Sequence, residues 1–172
     1  GKGIWVIKGN NVLIKGIEFE GAKVADRNGA GIRSEGDGLT ISYCYFHHNE
    51  NGLLVGKRPL SDIVIEHSEF GHNGHGDGQS HNIYVGEIRS LTVRFNYLHH
   101  AKVGHQLKSR ALKNFILYNR IMDENTGNSS YLVDLPDGGL AWLIGNEIQQ
   151  GEKTENYALI SYGTNYRNHP IN

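Results

Sequence analysis

Apolar and polar residues alternate along this chain in short runs, and the runs recur. Val12-Leu13-Ile14-Lys15-Gly16-Ile17-Glu18-Phe19 returns in altered form at 39–46, 63–70, 91–98, 114–121 and 141–148. Aligned on the final apolar residue, successive copies lie 27, 24, 28, 23 and 27 residues apart. One apolar column reads Ile14, Ile41, Ile65, Val93, Ile116, Leu143, and a second reads Phe19, Phe46, Phe70, Leu98, Ile121, Ile148. Alternation with period two is the mark of a strand with one buried face. The five-residue gap between the columns is odd, so one straight strand cannot bury both, and a bend must separate them. At that bend stand Ile17, Cys44, Ser68, Asn96, Asn119 and Asn146. Stacked amides there can donate and accept along the stack.

A further strand follows each copy, at Gly31-Ile32-Arg33, Leu53-Leu54-Val55, Ile83-Tyr84-Val85, Leu107-Lys108-Ser109, Val133-Asp134-Leu135 and Ile160-Ser161-Tyr162. No segment keeps a 3.6-residue apolar period. One strand–bend–strand–turn unit per coil, stacked about 4.8 Å from the next, predicts an all-β, right-handed parallel β-helix of about six coils. An all-β sandwich is the alternative, but its strands would not form columns over six copies. Both ends read as cut. Gly1–Ile7 resembles the tail of a coil and Asn168–Asn172 stops where another should start, with no capping helix at either. The expectation is one β-helix domain over 1–172, a segment of a longer solenoid, in which a missing export signal carries little weight.

Composition narrows the partners. Apolar residues make up 38% and charged residues 20%, with 23 Gly against 3 Pro, which is globular rather than disordered. A net charge of −1 argues against nucleic acid as a partner. No apolar run is long enough to span a membrane. The single cysteine, Cys44, excludes an internal disulfide and falls in an inward column.

The unusual polar residues gather in coils three to five. Two residues after the second apolar column come His48, His72, His100 and Asp123, and two before Ile83 and Leu107 come His81 and His105. Tyr84, Lys108 and Asp134 take the outward place on successive strands, with Arg110 at a strand end. Stacked histidines are also common packing devices, and Lys108 with Asp134 also reads as a cross-rung salt bridge worth about 0–1 kcal/mol. Calcium held by Asp77, Asp123 and Glu124, or zinc on histidine and aspartate, fits the residue types without a specific spacing, so the sequence names no metal.

Around Leu107-Lys108-Ser109, which precedes Asn114 and Asn119, the chain resembles the right-handed parallel β-helix enzymes acting on uronic-acid polysaccharides. The alginate lyase and chondroitinase-B-type lyases carry a catalytic lysine in an Asn-Lys-Ser element. The mannuronan C5-epimerases carry a His followed by a Ser-Arg pair, like His105 and Ser109-Arg110. The epimerase Asp-Pro-His-Asp element is absent, and where those lyases place a catalytic Arg this chain has Tyr131 and Asp134. The resemblance implies a pectate-lyase-like fold, an acidic polysaccharide partner, an extracellular or periplasmic setting, and β-elimination or epimerisation at a uronate. Lys108, Arg110, His105, His81, Tyr84, His100 and Asp134 would be catalytic, and His72, Tyr97, Tyr131 and Asn82 would bind substrate. Tyr43, Tyr45, Tyr97 and Tyr118 offer sugar-stacking surfaces. The alternative is a non-catalytic polysaccharide-binding or adhesin-like solenoid.

Overall fold

The computed structural model describes residues 2–165. The expected stop at Asn168–Asn172 and the residue Gly1 lie outside them. Each coil contributes one strand to each of three sheets, and every strand pair is parallel, which excludes the sandwich. The first sheet stacks Gly3–Ile7, Ala30–Ser34, Asn51–Val55, Ile83–Val85, Leu107–Ser109, Val133–Leu135 and Ile160–Tyr162. The second stacks Val12–Lys15, Leu39–Ser42, Arg58–Glu66, Ile88–Arg94, Lys113–Leu117 and Leu140–Ile144. The third stacks Glu18–Glu20, Tyr45–His47, Glu69–Gly71, Tyr97–His99, Arg120–Met122 and Glu147–Gln149. Among the described residues there is no helix, hence none long and apolar enough to cross a membrane.

Both apolar columns are in register. Ile14, Ile41, Ile65, Val93, Ile116 and Leu143 pair in sequence on the second sheet, and Phe19, Phe46, Phe70, Leu98, Ile121 and Ile148 on the third. The three phenylalanines stack face to face, with centroids 4.7 and 4.4 Å apart. Each such buried side chain contributes about 1.5–3 kcal/mol relative to exposure. In the sixth coil the column opens to solvent, and Leu143 is 36% exposed.

The bend between the second and third sheets is made the same way six times. Gly16, Tyr43, His67, Phe95, Tyr118 and Gly145 all adopt left-handed backbone, with φ between 48° and 69°. That conformation costs a non-glycine residue about 1–2 kcal/mol. The next residue then turns its polar group inward. Asn119 Oδ1 accepts from the backbone N–H of Asn96 at 3.0 Å, and Asn119 Nδ2 donates to the Val93 carbonyl at 2.8 Å. Asn146 repeats this for Asn119, and Ser68 Oγ accepts the Cys44 N–H. Ile17, expected in the same column, is exposed instead.

The turn from the third sheet to the first holds a second inward ladder. Asn49, Asn73, Asn82, Gln106 and Asp123 are linked by side-chain hydrogen bonds, within one coil for Asn73 and Asn82 and between coils for the rest, all buried. This corrects two expectations. Asn82 is 0% exposed and its amide donates to Phe70, His99 and Gln106, so it binds no outside ligand. Asp123 does not stand outward with the histidines. It accepts from Gln106, Ser129 and Gly151, and the left-handed corner of that coil passes to Glu124.

Candidate functional site

The outward row of the first sheet runs Leu54, Tyr84, Lys108, Asp134, Ser161, in register across five coils. Leu107 and Ser109 point inward and are buried, so alternation turns Lys108 out, as expected. Lys108 Nζ donates to Asp134 Oδ2 at 2.9 Å. The expected cross-rung pair therefore forms, but not on an open surface. The Asp134 side chain is only 5% exposed and that of Lys108 20%. A pair with one buried partner is not the weak exposed kind that the sequence suggests. The other oxygen of Asp134, Oδ1, is buried with no hydrogen-bond partner among the described residues, and so is Ser161 Oγ beside it.

Next to this row lies a ladder formed by Asn51, His81, His105 and Tyr131. Asn51 Oδ1 accepts the His81 N–H at 2.9 Å, His81 Nδ1 accepts the His105 N–H at 3.0 Å, and His105 Nδ1 accepts the Tyr131 N–H at 3.1 Å. The two imidazoles stack 4.7 Å apart. A backbone N–H only donates, so each Nδ1 keeps its lone pair and the neutral ring carries its proton on Nε2. Burial, with help from Lys108, lowers the His105 pKa to about 4 and that of His81 further. Both rings are thus neutral donors at Nε2. His105 Nε2 faces Asp134 Oδ2 at 3.4 Å.

Arg110, at the end of the Lys108 strand, pairs with Asp137. With Tyr84 these residues line a cleft of about 360 Å³ together with Lys57 and Glu87. The structure thus brings together six of the expected catalytic residues: His81, Tyr84, His105, Lys108, Arg110 and Asp134. Tyr131 joins them through its ring contact with His105 at 5.4 Å.

His72 and His100 stand elsewhere. With His48 they occupy the left-handed corners between the third and first sheets, stacked 5.4 and 4.6 Å apart. Tyr97 lies on the third sheet, donating its hydroxyl to Glu124 at 2.7 Å. It borders a groove of about 840 Å³ whose floor is the exposed stack Tyr43, His67, Phe95, Tyr118. Tyr43 and Tyr118, expected from the sequence to offer sugar-stacking surfaces, stand in this row. His67 and Phe95 were missed, although they sit in the same place, one residue before the inward bend column. Asp137 was missed too, because only the turn after Leu135 carries it back to Arg110. The three residues suggested for calcium are not gathered: Asp77 is exposed and holds the Gln79 N–H, while Asp123 is spent in the inner ladder.

A family model described as the right handed beta helix region matches residues 1–121. Comparison with curated proteins and with solved structures returns no match. The match covers well over half of the 172 residues and the stack of three parallel sheets agrees with it, so the chain belongs to the right-handed β-helix family.

Proposed function

We propose that the protein acts on a uronic-acid-containing polysaccharide laid along the outer face of the first sheet, by β-elimination or C5-epimerisation. The observation that carries this reading is Asp134. A carboxylate buried with one oxygen unpartnered among the described residues is costly. Such groups concentrate where chemistry is done. Here it holds Lys108 and His105 beside an open cleft that Tyr84 and Arg110 line.

Both reactions begin by removing the C5 proton of a uronate, which pushes negative charge onto the carboxylate. Arg110 and the Nε2–H of the neutral histidines supply the donors that such charge requires. Because His81 and His105 keep their protons on Nε2, they act as donors and not as the base. The C5 proton then passes to Lys108 in its uncharged amine form, and the Tyr84 hydroxyl, adjacent on the paired strand, supplies the proton that the leaving oxygen or the opposite face of C5 takes. In elimination the electron pair at C5 forms the C4–C5 double bond and expels the O4 oxygen, which takes a proton. In epimerisation the proton returns to C5 from the opposite face. Such polymers lie outside the cytoplasm, which sets the protein in an extracellular or periplasmic space.

The Lys108–Asp134 ion pair favours a second reading, in which the row is a fixed charge pattern that binds polymer without turnover. A panel of uronate polysaccharides in deuterated water separates the two. The first reading expects deuterium at C5 with at least one polymer, accompanied by unsaturated-product absorbance or a changed epimer ratio in the proton spectrum. Polymer that binds but exchanges no C5 proton leaves only the second.

A further inference from the structure

We propose that His72, His99 and His100 form a binding site for a borderline divalent transition-metal ion, of the zinc and copper class. The site is independent of the polysaccharide reading and lies at the corner between the third and first sheets. Each histidine offers a ring nitrogen, and the three ligand atoms lie within 4.8 Å of one another. Two are on successive left-handed corners, and the third ends the Tyr97–His99 strand. All-imidazole donor sets suit zinc, copper and nickel, whereas calcium and magnesium take oxygens.

The surrounding groups aim the rings. Glu69 Oε1 lies 3.1 Å from His99 Nε2, and Thr126 Oγ1 lies 3.0 Å from His100 Nε2. With both Nε2 atoms engaged, the two Nδ1 atoms meet 2.7 Å apart and share one proton. A carboxylate behind a ligating imidazole is the usual support of a metal-bound histidine. Gly71 makes room on the coil below: a Cβ there would come within 2.2 Å of the His99 ring. An ion at this place asks for small changes. The shared proton moves from His100 Nδ1 to its Nε2, where it is donated to the Thr126 oxygen, so no proton is lost from the protein. The two Nδ1 atoms open to about 3.3 Å, as two ligands at 2.0–2.1 Å on a tetrahedral ion require. His72, on the left-handed corner one coil below, offers the third ring nitrogen.

The same signature, Tyr-x-His-His, occurs two coils earlier. His47 and His48 bring their Nδ1 atoms to 2.8 Å, and Glu18 backs His47 at 2.7 Å. There the third candidate ligand is Glu20, whose side chain is 63% exposed. The coil-four site is the better built, because all its ligands are imidazoles and two are on stacked corners.

The test is calorimetric titration of the metal-stripped 172-residue protein with zinc chloride at neutral pH, followed by cobalt substitution. The expected result is one equivalent bound at micromolar or tighter Kd. His72→Ala and His100→Ala should each weaken it more than tenfold. Glu69→Gln, which keeps the ring contact but removes the supporting charge, should weaken it about 10–100-fold. Glu20→Gln and His67→Ala should leave it unchanged, and bound cobalt should show intense visible bands of a tetrahedral site. Circular dichroism of each variant checks the fold, and Glu69→Gln carries the test where a histidine deletion unfolds the protein. No stoichiometric uptake by the parent protein overturns the proposal. So does uptake that Glu20→Gln abolishes, or that His72→Ala, His100→Ala and Glu69→Gln all leave intact.

Discussion

Replacing Lys108 by alanine separates packing from chemistry. In the folded protein the ammonium lies 2.9 Å from Asp134 Oδ2, and Oδ1 has no partner among the described residues. Removing the lysine leaves a carboxylate that is 95% covered, with His105 Nε2 at 3.4 Å. Stranding one member of a buried ion pair costs about 3–5 kcal/mol. Lys108 is itself one-fifth exposed, so water reaches the gap and the low end, about 3 kcal/mol, is expected. A pair with both members on the surface would lose less than about 1 kcal/mol. Against a typical stability of about 5–15 kcal/mol the variant remains folded at 25 °C. Lys108→Ala with Asp134→Ala removes the stranded charge along with the lysine, so the double variant should be more stable than the sum of the single losses by about 1.5 kcal/mol or more. Urea unfolding of the four proteins, with slopes checked for equality, measures this cycle. Turnover should fall about 10²–10⁴-fold in Lys108→Ala if the lysine transfers the proton. A cycle additive within about 0.5 kcal/mol refutes the buried-pair argument. Parent-rate turnover in folded Lys108→Ala removes lysine from the mechanism.

Three further outcomes follow from the ladders and the core. Asn119→Ala strands the buried Asn96 N–H and the Val93 carbonyl, at about 1–3 kcal/mol each. Asn119→Ser should recover part of that loss, as Ser68 does for Cys44, and equal urea midpoints for the two variants would contradict the ladder. His72 and His105 titrate near 6.5 when unfolded and near 4 when folded. Between those values the unfolded chain binds more protons, so stability present above pH 6.5 is lost as pH falls toward 4. The urea midpoint should therefore drop across that range. His105→Asn, whose amide can accept the Tyr131 N–H as Asn51 accepts that of His81, should flatten the drop, and an unchanged pH profile in that variant would sink the assignment. Ile65→Asp puts an unpaired charge at the centre of the second sheet's column and should abolish cooperative unfolding at 25 °C; a normal melting transition would mean that the column is not the core.

The sequence by itself determined the fold, because a solenoid repeats one local rule. Ile65 fits its place for the same reason as Ile41 and Val93, so the alignment of copies already gives the register. The odd gap between the columns required a corner, and the left-handed residues before Asn96 and Asn119 are that corner. The outward direction of Lys108 also followed from alternation alone. Depth did not. Alternation says that Asp134 faces out, yet Lys108 and His105 pack over it until it is nearly buried, and only the stacked coils show this. The inward turn of Asp123 was equally hidden, because one extra residue in that coil shifts the corner to Glu124 while the column spacing stays regular. Spacing likewise put His72, His81, His100 and His105 in one group. The turn between the third and first sheets separates them, leaving His105 as a neutral donor against Asp134 with His81 stacked on it, and the other two on the corner with His99. Such turns vary in length from coil to coil, and their geometry is set by hydrogen bonds to neighbouring coils rather than by local pattern. Tertiary structure therefore decided which of the polar residues meet.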